Sequence, residues 1–249
     1  MGVTIGAERE RFIVNKTTGK ITPAIGVLLP KVQKICRQQG IPISLFGHEL
    51  FAGQIEDRTL PCDTLKDLQA ALEANDALLE TAVAGDSLSF DFSELVTESR
   101  VEKLEVNPFD ERHLHIWSSI TQERRSAASR VTAVHIHLGV NKAQAVALLN
   151  ACRREQIENL IRMGDHSSGA RIRTYRKMAQ TDGFPPLFSG FAELMAYIQD
   201  HGGEKNVWDL VRYKPSTKTV EFRMFGATED IREIIGYAGA CLSLFSSAI

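Results

Sequence analysis

The chain has 249 residues, with 29 Lys and Arg against 31 Asp and Glu and a formal net charge of −2. At 43% hydrophobic and 24% charged it has enough apolar residues for a sizeable core and is too balanced for a disordered or fibrous class. The near-neutral charge argues against a general nucleic-acid binder, no apolar run approaches a membrane span, and Met1 to Arg11 lacks the apolar core of a secretory signal. Cys36, Cys62, Cys152 and Cys241 are scattered, without a CxxC or zinc-ribbon spacing. They read as thiols in a reducing compartment, so a cytoplasmic protein is the expectation.

Residues 3–14 alternate like a strand, and the turn at Thr17 to Lys20 leads to a helix from about Pro23 to Gln39, ended by Gly40. Residues 50–57 read as a strand. Asp63 and Thr64 cap a helix with apolar positions at Leu65, Leu68, Leu72, Leu78 and Leu79. Ser87–Phe92 is a short strand, and Phe109 to Arg130 reads as a charged loop plus helix. Val131–Val140 alternates cleanly as a strand, and Asn141 caps a helix from Lys142 to about Met163. A Gly/Ser/Arg-rich loop spans Gly164–Arg176, followed by a helix near Ser189–His201. Strands Trp208–Tyr213 and Thr219–Phe225 form a hairpin across Lys214-Pro215-Ser216, and a helix closes the chain from about Thr228 to Phe245. With no repeat and no long linker, residues 1–249 read as a single domain. The order of elements predicts an α+β fold: an antiparallel or mixed sheet with helices packed on one face.

Side chains at i and i+2 of a strand share a face. Glu8 and Glu10, then Gln54 and Glu56, then His135 and His137, and finally Glu221 and Arg223 therefore pair on the polar sides of four strands. Val134, Ile136 and Leu138 point the other way, as do Val220, Phe222 and Met224. If these strands are neighbours, their shared face is an acidic floor with imidazoles and a guanidinium at its edge. An antiparallel sheet often leaves one face solvated, but clustered carboxylates repel across strands. Bound cations explain such a face better, and oxygen-rich sites suit Mg²⁺ or Mn²⁺.

Gly6-Ala7-Glu8-Arg9-Glu10-Arg11-Phe12, His135-Ile136-His137-Leu138-Gly139-Val140 and Thr219-Val220-Glu221-Phe222-Arg223-Met224-Phe225 resemble the GxExEF, HVHxGV and TxExRxF blocks of the carboxylate–amine ligases. That superfamily includes family-2 glutamate–cysteine ligases and amidoligases, built on the glutamine-synthetase catalytic sheet. The resemblance implies ATP and Mg (or Mn) as cofactors and an acyl-phosphate route to an amide, with small-molecule carboxylate and amine substrates. Glutamate or a related amino acid is the acid it suggests, and homo-oligomers are compatible with it. It implies metal-ligand roles for Glu8, Glu10, Glu49, Glu56, His135 and Glu221, with a bulge to bring Glu49 and Glu56 to one face. His137 would face nucleotide or substrate, and Arg223 and Arg176 would hold the transferring phosphate. Arg171 and Arg173 are further candidates for phosphate contact. Two departures stand out: the Trp208-Asp209-Leu210-Val211-Arg212 block is one residue longer than the family's, and Gly226 stands where an acidic residue is common.

No nucleophile elbow, Walker A or GxGxxG sequence is present, so covalent, P-loop and Rossmann chemistry are unsupported. Three rivals remain: a zinc site combining His113 and His115 with His135 and His137, a phosphotransferase on the same scaffold, and a non-catalytic nucleotide binder. Asp110-Glu111-Arg112 suggests an exposed segment around His113 and His115, which weakens the zinc alternative.

Overall fold

β1 (Thr4–Asn15) is long enough to pair with three strands, and it organises the sheet. The structure, a computed structural model, describes residues Gly2–Ile249. One edge of β1 pairs first with β5 (Ala133–Gly139) and then, further along, with β4 (Leu88–Asp91); along the other lies β3 (Gln54–Arg58). β2 (Phe46–His48) extends the sheet beyond β3, while β7 (Thr219–Gly226) and β6 (Val211–Lys214) extend it beyond β5. The order is β2-β3-β1-β5-β7-β6, with β4 set beside β1, and every pairing is antiparallel. The α+β expectation holds, with the sheet antiparallel throughout its seven strands.

Among the described residues nine α-helices accompany the sheet. α1 (Ile25–Gln39) and α2 (Leu65–Val83) pack over its β3 end, where Leu28, Val32, Leu78 and Leu79 meet Ile13 and Ile55. α2 starts where Thr64 accepts a hydrogen bond from the Asp67 amide, as the sequence predicts. α3 (Glu111–Ser119) and α4 (Gln122–Ala128) occupy the charged stretch before β5. The helix expected from Lys142 to Met163 is two: α5 (Lys142–Ala151), opened by an Asn141–Gln144 capping box, and α6 (Arg154–Met163). The expected loop at Gly164–Arg176 gives way to α7 (Ala170–Ala179). α8 (Phe191–Asp200) and α9 (Ile231–Ala248) complete the chain. Ile136, Leu138, Val220, Phe222 and Met224 join Leu148, Leu160, Ile234 and Cys241 in the largest core, behind the sheet. No helix of the described residues is long and apolar enough to cross a membrane.

The alternation of β1 carries a surprise on its apolar side. Arg9 and Arg11 lie there, each about 1% exposed, and both bind Asp57, which is fully buried. Asp76 of α2 closes the network at 2.9 Å from Arg9 and 3.0 Å from Arg11, and Asn75 donates to Asp57 at 2.9 Å. Two guanidinium groups matched by two carboxylates make burial tolerable, because each charge keeps a partner and hydrogen bonds. The network bolts α2 to the strands that carry Glu8, Glu10 and Glu56 on the other face.

Candidate active site

The strand register decides which polar residues meet. Glu8 stands opposite His135, Glu10 opposite Glu56, and His137 opposite Glu221. A register shift between Val134 and Ile136 bends β5 and lets both imidazoles reach Glu8. Glu49 joins the face by a tight turn rather than the expected bulge. It follows β2, and the chain reverses through Leu50–Gly53 into β3. At Gly53 a Cβ would stand 2.4 Å from the Phe51 ring, so the turn requires glycine.

Two clusters result. Glu8, His135 and Glu221 each place a ligand atom within 4.8 Å of the others, and so do Glu10, Glu49 and Glu56. His135 Nδ1 lies 3.3 Å from Glu8 and 3.4 Å from Glu221, and His137 Nε2 lies 3.4 Å from Glu8. Arg223 binds Glu221 at 2.6 Å, Arg212 binds its other oxygen at 2.5 Å, and Lys214 reaches Glu8 at 3.4 Å. The floor opens into a cavity of about 450 Å³, whose walls include Arg58, Asp110, Arg112, His113, Lys205 and Trp208. Beyond Glu8 and His137 lies a smaller pocket of about 220 Å³, lined by Thr4, Ile5, Pro61, Gly139 and Thr219.

The two clusters differ electrically. Burial opposes ionisation of Glu8, but His137, His135 and Lys214 hold its pKa well below the usual range. Burial likewise opposes Glu221, and Arg223 and Arg212 overcome it. Burial, reinforced by Arg223, lowers His135 to about 4, so it offers a neutral imidazole. In the second cluster burial raises Glu10 to about 8 with Glu56 repelling it, and raises Glu49 to about 7 with Glu10 repelling it. Glu56 is pushed well above the usual range by burial and Glu8, although Arg58 contacts it. Crowded carboxylates of this kind fit hard divalent cations, which take oxygen donors and relieve the repulsion. The neutral imidazole between Glu8 and Glu221 adds a nitrogen donor, which a transition ion takes more readily than Mg²⁺ does.

The arginines of α7 do not line this cavity. Arg171 is 2% exposed and donates to the Thr132 and Met224 carbonyls at 2.8 and 2.9 Å, which ties α7 to β7. Its charge still favours ionised Glu10. Arg173 donates to the Ser168 carbonyl, and Arg176 lies 5.2 Å from the Phe184 ring. The helical turn explains the divergence, since Arg171 and Tyr175 share the inward face while Arg173 and Arg176 are rotated away. Arg58, Arg112, Lys205, Arg212, Lys214 and Arg223 are the cations that do reach it. Only Arg223 of these was singled out from the strand pattern; Arg212 was visible in the Trp208–Arg212 block. His113 also lines the cavity, with its side chain 16% exposed, where the sequence suggested an exposed segment. His115 is not among the lining residues, so the four histidines do not assemble into one site.

No family model matches the chain. A protein of Saccharopolyspora erythraea, provisionally named glutamate–cysteine ligase 2-2, is 25% identical over 100% of this chain and 66% of its own length. A Herpetosiphon aurantiacus protein, provisionally named glutamate–cysteine ligase 2, is 23% identical over 97% of this chain and 64% of its own. The chain thus spans about two thirds of these relatives. Among solved structures, Plasmodium falciparum glutamine synthetase superposes with a TM-score of 0.57 at 11% identity, over 100% of this chain and 52% of that one. The Francisella tularensis glutamate–cysteine ligase, in complex with AMP, gives 0.57 at 12% identity, over 100% and 71%. The chain is thus similar along its whole length to provisionally named glutamate–cysteine ligases, and it shares the fold of the solved glutamine synthetase and glutamate–cysteine ligase.

Proposed function

We propose that the chain is an ATP-dependent carbon–nitrogen ligase that joins a small carboxylic acid, glutamate or a close relative, to an amine through an acyl phosphate. The observation that carries the proposal is the pairing of two three-donor clusters on one sheet face beside Arg223. Glu8, His135 and Glu221 would hold one divalent cation, Mg²⁺ or Mn²⁺, and Glu10, Glu49 and Glu56 another. When bound, such ions neutralise phosphate oxygens and polarise the phosphoryl group. Apart from Glu8, Arg58 and His137 at its border with the floor, the smaller pocket is lined by threonine hydroxyls and small or apolar residues, so it suits a nucleoside. At Gly139 a Cβ would stand 2.2 Å from Thr4 Oγ1, so this wall of the pocket has no room for a larger residue. That placement points the phosphates across His137 towards the floor.

Arg223 is the group on this floor able to meet charge that moves during transfer. Its fork reaches Glu221 through one nitrogen, and its Nε is buried without a hydrogen-bond partner. A guanidinium so placed stabilises an oxyanion as the acid attacks phosphorus and again as the amine displaces phosphate. The similarity to glutamate–cysteine ligases supports this reading, and the whole enzyme's substrates follow from it as proposals. Cytoplasmic residence, with its ATP and reducing conditions, accords with four cysteines all buried as free thiols.

The test uses hydroxylamine as a general amine. Purified protein with Mg-ATP and L-glutamate should release ADP and form a hydroxamate, because hydroxylamine traps acyl phosphates. ADP release with a phosphorylated product and no hydroxamate would replace the ligase with a phosphotransferase. No acid-dependent ADP release across a panel of amino acids would remove both.

A further inference from the structure

Asn107 is fully buried, and its bonds fix the role of a histidine that faces the cavity. The amide protons of Phe109 and Asp110 are donated to Asn107 Oδ1 at 3.0 and 3.2 Å, so the oxygen end is assigned by its surroundings. The nitrogen end must then donate both its hydrogens. One goes to the Glu49 carbonyl at 2.7 Å and the other to His113 Nδ1, also at 2.7 Å. His113 Nδ1 is therefore an acceptor, and the neutral ring carries its proton on Nε2. Burial keeps the ring neutral, lowering its pKa to about 4. Nε2 is 3.8 Å from Asp110 Oδ2, too far for a hydrogen bond, which leaves the N–H without a close partner in the protein. His48 packs edge-on to the ring at 5.5 Å and fixes its plane. Arg112, the preceding residue, lines the same cavity, and so does Lys205. This wall thus presents a fixed N–H donor beside Arg112 and Lys205, whose charges offset those of Asp110 and Glu204 on the same wall, and it lies one amide from the Glu49 backbone.

The geometry points to His113 as a specificity-determining residue that donates Nε2–H to the non-reacting carboxylate of an amino-acid substrate, with Arg112 beside it. The inference rests on the ligase reading and names the contact that selects its acid. A donor whose tautomer is locked recognises an acceptor and rejects an analogue that lacks it, because an N–H covered by such an analogue loses its water and is left unpaired. The nucleoside pocket lies beyond Glu8 and His137, whereas His113 adjoins the Glu10, Glu49 and Glu56 cluster through Asn107. The acid that receives the phosphoryl group belongs on this second side. Asn107 is a positioning residue: it touches no substrate but decides which ring nitrogen carries the proton.

Calorimetry with L-glutamate and with 4-aminobutyrate, each added to protein holding Mg-ADP, isolates the contact, because the two probes share the reacting carboxyl and differ in the other. The wild-type protein should prefer glutamate, and His113→Leu should cut that preference by about tenfold or more. His113→Gln keeps an N–H donor and should retain most of it, so a folding defect in the leucine variant leaves the proposal testable. Asn107→Asp accepts where the wild type donates, so it should shift the proton to Nδ1, visible in long-range ¹H–¹⁵N spectra of the ring, and lower the same preference. An unchanged preference in His113→Leu overturns the inference and leaves the ligase reading standing. A wild-type protein that neither binds glutamate nor forms hydroxamate overturns the ligase reading, and this inference with it.

Discussion

Glu10 on β1 and Glu221 on β7 flank β5 and answer the same question in opposite ways. Glu221 is fully buried between Arg212 and Arg223, so Glu221→Gln would leave two guanidinium groups short of a counter-charge. That variant should lose about 3–5 kcal/mol of stability, which makes it a poor probe of catalysis. Glu10 is held protonated towards about 8 by burial and by Glu56. Glu10→Gln should therefore leave the metal-free protein as stable as wild type or more so, while weakening Mg²⁺ binding about 10- to 100-fold. Thermal melts with EDTA and with Mg²⁺ check both halves. The pH dependence follows from the same residues. Glu10 and Glu49 titrate at about 8 and about 7 in the folded protein and near 4.5 when unfolded. Between those limits the folded state binds more protons, so stability without metal should fall as pH rises through that window. Glu8 and Glu221 run the other way, contributing stability above 4.5 that is lost as pH falls through their depressed values. His113 and His135, lowered to about 4, offset the decline below about pH 6.5, where the unfolded rings bind protons. In EDTA the melting temperature should therefore decline chiefly from about pH 6.5 to about pH 8, and Mg²⁺ should flatten the slope. A melting temperature that rises across that range without metal would contradict the carboxylate crowding. For Arg223, replacement by Lys keeps the charge and loses the fork. Arg223→Lys should lower kcat by about tenfold or more while changing ADP affinity less, read from steady-state rates and calorimetry at saturating Mg²⁺.

At the scale of elements, period-two alternation was enough to place Glu8, Glu10, His135, His137, Glu221 and Arg223 on one face, because on β5 and β7 the opposite side is apolar and on β1 the carboxylates recur at i and i+2. The same rule misleads on β1, where Arg9 and Arg11 occupy the buried side and survive there through Asp57 and Asp76, partners 46 to 67 residues away. Nothing local in the sequence announces such a network. Asp57→Asn should cost about 3–5 kcal/mol, since it strands two buried guanidinium groups. Urea unfolding measures that loss, and a change below about 1 kcal/mol would show that the network is not what holds α2 to the sheet. β2 was missed because three residues carry too little pattern. α7 was read as a loop because its glycines and serines precede it, while Arg171, Ile172 and Tyr175 supply its inward face. Asn107 escaped notice and His113 was weighed only as a zinc ligand, because their meaning lies in the bonds that Asn107 makes to the Glu49 carbonyl and to His113 once the chain is folded.

Across the whole molecule, helices shield the back of the sheet and leave its polar face to a cavity of about 450 Å³. The arrangement concentrates carboxylates where a polyphosphate must bind, which is unfavourable until cations arrive. The central claim is therefore metal-dependent nucleotide binding on this floor. Titration calorimetry of ADP, once in EDTA and once at saturating Mg²⁺, tests it without knowledge of the acid or the amine. ADP should bind at least about tenfold more tightly with Mg²⁺, which corresponds to about 1.4 kcal/mol or more. Equal affinity in the two conditions would contradict the account, because it would mean that the paired carboxylate clusters take no part in holding the phosphates.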